Sequence, residues 1–400
     1  MSEELAFEGL KVFDMSQGVA APYCGMLLAQ NGADVIKMEP PAPGDWSRAM
    51  GKPYEDQSSS SVILNRGKRS ISLDLKKPEG VAVAKRLARE ADVVLQNYRP
   101  GVIEKFGLDY ESVRKENPTV VYLSLTGFGQ TGPKAKHPAT DSVMQAFTGF
   151  MSINLDPNGT PQRIDYYAID VITGLYSFQA VSSALYRRAM KGVGKHIQTS
   201  LLQSALAFQE VKMVEYHLEG GKGEPIGAPV GTFATTDGHI CVNARRDPHF
   251  QALCRLLGRE DLIDDPRYAD ARSRVANRED LLVVVRAAMA SRPKAEWAKD
   301  LNAADILNAP VNNYGNLFAE PQVEAVGAVR WIEHATVGRV PMGAIAGIPP
   351  MATDNPRSHS PHIGQHSREV LAGLGMSAPE IDALIDSGAV ASPEMARAAE

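Results

Sequence analysis

LKVFDMSQGVAAPYCGMLLAQNGADVIKM (residues 10–38) decides the fold. Leu10 to Met15 is a short apolar run of strand length. Pro22 to Asn31 reads as a helix, opened by a proline and closed by Asn31-Gly32. Asp34 to Met38 is a second strand. A strand, a helix and a strand in so few residues make a βαβ unit, and its two strands must lie parallel because the helix carries the chain back across the sheet.

The same alternation continues outward. Ile71 to Leu75 (ISLDL) is a third strand. Pro78-Glu79 opens a helix through Ala91 that runs straight into the strand Asp92 to Gln96 (DVVLQ), and Val120 to Leu125 (VVYLSL) is a fifth strand. Repeated units of this kind predict an α/β fold with a parallel sheet and helices on both faces. Ile169 to Met190 is a long helix, with Ile172, Leu175, Tyr176, Gln179, Ala180 and Ala184 at helical spacing. A short strand and another helix lead to the Gly220-Gly221 pair. EGGKGEPIGAPVG (219–231) is a linker or a functional loop. FATTDGHICVNA (233–244) then predicts a β-hairpin around Asp237-Gly238, followed by helices around 248–257, 278–291 and 294–302. This change of texture marks a smaller α+β domain. The chain divides into 1–205, a linker at 206–229, the small domain at 230–325, and 326–400, whose tail holds short helices near 367–373 and 378–387.

Composition limits the function. The 400 residues are 44% hydrophobic and 22% charged, the balance of a globular protein of two or three domains. Forty-two basic residues against 47 acidic give a net charge of −5, poor footing for a nucleic-acid binder but compatible with a local basic pocket for a small anion. Three cysteines without CxxC spacing argue against a disulfide framework or a cysteine zinc site. The N-terminal MSEELAFEGLKVFDMS lacks the layout of a signal peptide, and no apolar run is long enough to span a membrane. The expected location is cytoplasmic.

The usual chemical fingerprints are missing: no GxGxxG follows a strand, and there is neither GxxxxGK[ST] nor GxSxG. His359, His362 and His366 suggest a metal set, but Pro361 and Gly364 prevent a helix from aligning them, which favours a polar loop. Arg66, Lys68, Arg69 and Lys76 flank the strand in NRGKRSISLDLK (65–76). Asn97, Tyr98, Arg99 and Lys105 follow the next strand in NYRPGVIEKFG (97–107). Ligands bind outside the carboxyl ends of parallel strands, so two basic, amide-bearing loops there suit phosphates and an adenine ring; the alternative is a solvated face. Asp170, in DYYAIDVITGLYS (165–177), stands at the start of the long helix. It is either an N-cap or a carboxylate nucleophile; the helix dipole favours its ionised form by ~0.3–1 kcal/mol, and burial opposes that.

These segments together resemble the family III CoA-transferases, the CaiB–BaiF family that includes formyl-CoA transferases. The resemblance runs in order through 10–48, LNRGKRSISLDLKKPEG (64–80), ADVVLQNYRPGVIEKFGLDYE (91–111), LSLTGFGQTGP (123–133), IDVITGLYSFQAVSSALYRR (169–188), GKHIQTSLLQSAL (194–206), ATTDGHICVNA (234–244) and PHIGQHSREVLAGLG (361–375). It implies a large Rossmann-like domain made from the N-terminal half and the returning tail, a small inserted domain, and an interlocked homodimer. It implies that Asp170 is catalytic and that Leu73, Lys76, Asn97, Tyr98, Arg99, Lys105 and Lys136 hold coenzyme A. Gln17 matches the loop that orients the acyl group. Pro40 stands where formyl-CoA transferases carry a basic residue, and Gly220–Gly231 does not match their glycine-rich loop residue for residue.

The implied partners are an acyl-CoA, small carboxylic acids and a second copy of the chain, with no tightly bound cofactor and no metal. The implied reaction moves CoA between acids through mixed anhydrides and an aspartyl-CoA thioester on Asp170. Two rivals are an α-methylacyl-CoA racemase and a CoA-binding protein without catalysis. The related racemases place a histidine directly before an aspartate; here KHPATDSVMQA (136–146) has Thr140 before Asp141, with His137 displaced upstream.

Overall fold

The computed structural model describes residues 5–221, 223, 225–349 and 352–392. The chain forms two compact units, Met1–Glu210 with Gly327–Glu400, and Val211–Val326.

The first unit begins with β1 (Lys11–Asp14), α1 (Ala20–Gln30), β2 (Asp34–Glu39), α2 (Ser59–Leu64), β3 (Arg69–Leu73), α3 (Pro78–Glu90) and β4 (Val93–Gln96). It continues with α4 (Tyr110–Glu116), β5 (Val121–Thr126), α5 (Asp141–Phe147), α6 (Ala168–Lys191), β6 (Lys195–Ser200) and α7 (Leu201–Phe208), and α8 (Glu210–Leu218) leads out of it. The second unit contains β7 (Val230–Thr235), β8 (Gly238–Asn243), α9 (Asp247–Leu256), α10 (Ala271–Ala276), α11 (Arg278–Met289), α12 (Lys294–Ala303), β9 (Leu307–Pro310), α13 (Tyr314–Phe318) and α14 (Pro321–Ala325). The chain then returns through β10 (Val329–His334), β11 (Gly338–Gly343), α15 (Ser367–Gly373), α16 (Ala378–Asp386) and β12 (Val390–Ala391).

The large sheet has the order β12-β3-β2-β1-β4-β5-β6. Strands β1 to β6 pair in parallel, in the order of a doubly wound Rossmann sheet. The seventh strand departs from the expected all-parallel sheet: β12, from the tail, lies antiparallel on β3, with Val390 opposite Leu73. At two residues it is too short for a pattern to show in sequence. The strands β4 and β5 are buried along their whole length, as a sheet covered on both faces requires. On one face Phe13, Val94 and Tyr122 pack against Leu87 of α3 and Val370 and Ile381 of the returning tail. On the other, Val12, Val93 and Leu123 pack against Leu28 of α1 and Val181 of α6. Gly174 brings α6 close to α1: a Cβ there would stand 2.7 Å from the Ala20 carbonyl oxygen.

The chain order β1-β2-β3, then back to β4, puts the switch point of the sheet between β1 and β4. A ring of buried charge fixes the loop leaving β1. Lys68 pairs with Asp14 at 2.8 Å, Lys37 with Asp45 at 2.8 Å and Arg48 with Glu39 at 2.7 Å, all inside the unit. Burial alone would push the Asp14 carboxyl up, but Lys68 and Lys37 hold it below the ordinary carboxylate range. Asp14 accepts from the Ser16 N–H at 3.0 Å, Asp45 accepts from the Gly18 N–H at 2.8 Å, and Lys37 donates to the Ser16 carbonyl.

This ring corrects part of the basic-loop expectation. Lys68 is an internal counter-ion and not a ligand group. Arg69 is held by Asp34 and Glu369, and Arg66 donates to the Gly343 carbonyl at 3.2 Å.

Within the second unit, β7, β8 and β9 form an antiparallel sheet. Phe233, Ile240 and Val242 pack there against Phe250 of α9, Leu282 of α11 and Trp297 of α12. The predicted hairpin is present, with Thr236-Asp237 as its two-residue turn. The segment read as a linker, 206–229, holds the end of α7 and all of α8; residues 222 and 224 lie outside the described residues. The β10–β11 hairpin was not anticipated from sequence, because the proline- and glycine-rich texture beyond it hid its alternating VRWIEH strand.

Candidate active site

Helix α6 runs from β5 toward β6, so its N-terminus opens at the carboxyl ends of the parallel strands. Tyr167 sits at the N-cap position and contributes no side-chain cap. The exposed N–H groups of a helix start need acceptors. They find one in another helix: Asp141 Oδ2, from the first turn of α5, accepts from the Ile169 N–H at 2.7 Å and the Asp170 N–H at 3.1 Å. Asp170 is therefore in the first turn but is not the cap. The capping role read for it belongs to Asp141, which leaves the Asp170 carboxylate to face the pocket.

Gln145 braces this arrangement. Its amide donates to Asp141 Oδ1 at 2.6 Å and reaches the Ile164 and Tyr166 carbonyls at 3.1 and 3.2 Å. Its Oε1 accepts from the Ile164 N–H at 2.9 Å. Further along α6, Thr173 is buried and donates to the Ile169 carbonyl at 2.7 Å. With Gly174 against α1, this gives the Thr-Gly pair that follows Asp170 a packing role.

Burial, and then the neighbouring Asp141 charge, push the Asp170 carboxyl up to about 7. The dipole bias of ~0.3–1 kcal/mol acts in the opposite direction and is outweighed. Asp170 lines a pocket of about 520 Å³ together with Val19, Trp46, Met50, Thr140, Asp141, Ser142, Arg163, Asp165, Tyr166 and Tyr167.

The other predicted residues fall into three groups. Gln17, Asn97 and Tyr98 meet at the switch point. The Gln17 N–H donates to Asn97 Oδ1 at 2.9 Å, Asn97 Nδ2 donates to the Gln17 carbonyl at 2.7 Å, and the Tyr98 phenol bonds the Gln17 side chain. Lys76, Arg99, Lys105 and Lys136 are exposed on the loops after β3, β4 and β5, and no ion pair engages them among the described residues. Leu73 stands apart. Its side chain is buried in β3, so only its backbone can face a ligand.

Among the described residues no cluster of three metal-ligating side chains occurs. His362 pairs with Asp56 at 2.7 Å, and His366 Nδ1 accepts from the Ser70 N–H at 3.1 Å. His137 is exposed against the edge of Phe128 and does not line the pocket; Thr140 does.

Sequence reasoning missed Trp46. Its indole covers Gly18, where a Cβ would sit 1.8 Å from Cζ2 of the ring, and Gly18 has φ +79°. The signal was available in the Gly44-Asp45-Trp46 run after β2: Asp45 caps the turn containing Trp46 and holds Gly18 through its other contact.

The family model described as CoA-transferase family III matches residues 7–367. A succinate–glutarate CoA-transferase from Agrobacterium fabrum is 37% identical, covering 92% of this chain and 95% of that protein. A succinyl-CoA:glutarate CoA-transferase from Homo sapiens is 33% identical, over 91% of this chain and 85% of its own. The crystal structure of a CAIB/BAIF family protein from Brucella suis superposes with a TM-score of 0.84 at 33% identity, covering 93% of this chain and 100% of that one.

The raised carboxyl makes a prediction about stability. A group that titrates at about 7 in the fold and at 3.8 in the unfolded chain stabilises the fold when protonated; this is lost as pH rises through about 7. Asp170→Asn carries no charge, so in urea unfolding it should be more stable than wild type at pH 8, with the advantage shrinking toward pH 4. An equal difference at both pH values contradicts the assignment.

Proposed function

The chain belongs to CoA-transferase family III, enzymes that move CoA between carboxylic acids, and from that premise we propose that it works by covalent catalysis on Asp170 with small dicarboxylic acids as substrates. The observation that carries this reading is the pocket-facing Asp170 carboxylate, relieved of capping by Asp141 and poised near neutrality by burial and by Asp141. The dicarboxylic substrate class comes from the succinate and glutarate in the names of the relatives.

Ionised Asp170 attacks the thioester carbonyl of the donor. The C–S bond breaks and CoA leaves as thiolate, giving a mixed anhydride. The thiolate attacks the aspartyl carbonyl and expels the donor acid as carboxylate, leaving an aspartyl-CoA thioester. The acceptor carboxylate attacks that thioester, CoA leaves again, and a second anhydride forms. Thiolate attack on the acceptor's acyl carbon releases the new acyl-CoA and free Asp170. The bond energy of the thioester is conserved at each exchange. Each intermediate is open to hydrolysis, so water must be kept from the pocket that Trp46, Tyr166 and Tyr167 line. Gln17, whose backbone Asn97 holds, would orient a carbonyl of the acyl group.

Lys76, Arg99, Lys105 and Lys136, which no ion pair engages among the described residues, supply the cations for the phosphates of CoA, with Asn97, Tyr98 and the Leu73 backbone beside the nucleotide. A racemase needs an acid and a base on opposite faces of the carbon. Here Thr140 fills the slot that a histidine would need, and Asp141 is engaged as a cap. Free Cys24, Cys241 and Cys254 fit a reducing compartment, the cytoplasm. The exposed Val211, Val214, Tyr216 and Leu218 of α8 form an apolar stretch that a second copy would cover in an interlocked homodimer.

Asp170→Asn should abolish transfer while CoA still binds. Wild type incubated with succinyl-CoA and then hydroxylamine should carry a hydroxamate at residue 170, formed faster as pH rises through about 7. Undiminished turnover by the variant would sink the mechanism. Arg99→Ala and Lys105→Ala should each raise KM for the acyl-CoA by roughly 10- to 100-fold with little change in kcat, since charge-assisted contacts to the nucleotide act alike in ground and transition states; unchanged CoA binding by calorimetry places the nucleotide elsewhere. Light scattering should give twice the 43.2 kDa of one chain, unchanged on dilution; a stable monomer refutes the dimer.

A further inference from the structure

The pocket beside Asp170 presents an electrostatic problem. It is lined by three carboxylates, Asp141, Asp165 and Asp170, and among the described residues around it Arg163 is the one basic side chain. Its substrates are acids and arrive as anions. A second negative charge on the acyl group would be repelled by this lining unless a cation faces it.

Arg163 meets the chemical requirement. A guanidinium is a planar fork whose paired N–H groups match the two oxygens of a carboxylate. Its ion partner is Asp165, two residues along, through Nη2. The two side chains are 55% and 89% exposed, and an exposed pair of this kind is weak and readily exchanged. Asp165 thus already places a carboxylate where an incoming one would sit, and the remaining N–H groups of the fork stay available.

The position of Arg163 is tied to the reactive carboxylate. Ile164, between Arg163 and Asp165, is held through both its N–H and its carbonyl by Gln145. The same Gln145 amide holds Asp141, which carries the Asp170 backbone. One side chain therefore braces both the backbone next to Arg163 and the cap of the helix that carries Asp170.

We propose that Arg163 binds the far carboxylate of a dicarboxylic acyl group or acceptor acid, displacing Asp165 from the guanidinium. The inference rests on the reading of Asp170 as the nucleophile, and adds the residue that selects acids with two carboxylates over acids with one.

The test is steady-state transfer by the full-length protein, with succinyl-CoA as donor and dicarboxylates from oxalate to glutarate against monocarboxylates of the same length. Arg163→Gln should lower the dicarboxylate-to-monocarboxylate ratio of kcat/KM by roughly 10- to 100-fold, mostly through KM. Asp165→Asn should act in the opposite sense and lower KM for the dicarboxylate, because it frees the guanidinium. This opposite sign decides the matter if Arg163→Gln fails to fold. An unchanged ratio in a folded Arg163→Gln, or a dicarboxylate KM that does not fall in Asp165→Asn, overturns the proposal. A wild type that serves only monocarboxylates overturns it too, but leaves Asp170 as nucleophile. A wild type with no transfer to any acid and no hydroxamate at residue 170 removes the reading beneath it.

Discussion

Two backbone N–H groups, those of Ile169 and Asp170, share one carboxylate oxygen of Asp141. The site depends on this contact. A helix start normally takes its cap from the residue before it, but Tyr167 has none to offer. Supplying the cap from α5 joins two helices at the mouth of the sheet. It also puts a second negative charge close to the Asp170 carboxylate, with burial already opposing ionisation. Asp141 thus orients the helix start and, at the same time, makes the charged form of its neighbour costly. A carboxylate held near its midpoint at neutral pH can ionise to attack a thioester and can also leave as an anion when an anhydride collapses.

The opposite side is fixed by different means. Ion pairs with both partners buried cost desolvation and are not efficient stabilisers. Asp14, Lys37, Asp45 and Lys68 are nevertheless all buried, and their contacts converge on Ser16 and Gly18. The consequence is a loop that cannot drift. Gln17 is carried on it, clamped by Asn97, and Gly18 leaves room for the Trp46 ring. Close packing at Gly174 sets α6 against α1, which begins where this loop ends. The loop carrying Gln17 and the start of α6 are thus each held by buried contacts, the kind of support that lets binding groups discriminate between related acids.

Much of this was legible in the sequence, for physical reasons that differ by element. The βαβ alternation exposed β1 to β5 because buried parallel strands are continuous apolar runs. Asp170 was found as a carboxylate at a helix start. Its neighbour Asp141 was noticed only as the residue after Thr140, since a cap delivered from 29 residues away leaves no local spacing to read. The basic run 65–76 misled for a related reason: Lys68 and Arg69 resemble an anion-binding loop by composition, and only the tertiary fold supplies the Asp14 and Asp34 that neutralise them. The two residues of β12 and the β10–β11 hairpin escaped because their pairing is long-range or their surroundings are rich in turn residues.

If the acceptor acid passes through a covalent bond to Asp170, one of its carboxylate oxygens must end on that side chain. In the proposed route the attacking oxygen of the acceptor carboxylate would become the bridge of the anhydride, and thiolate attack on the acceptor's acyl carbon would then leave that oxygen on the aspartate. After a single turnover with a heavy-oxygen-labelled acceptor acid, mass spectrometry of the digested protein should find the label in the peptide bearing Asp170. An unlabelled Asp170 in protein that has turned over would exclude the covalent route.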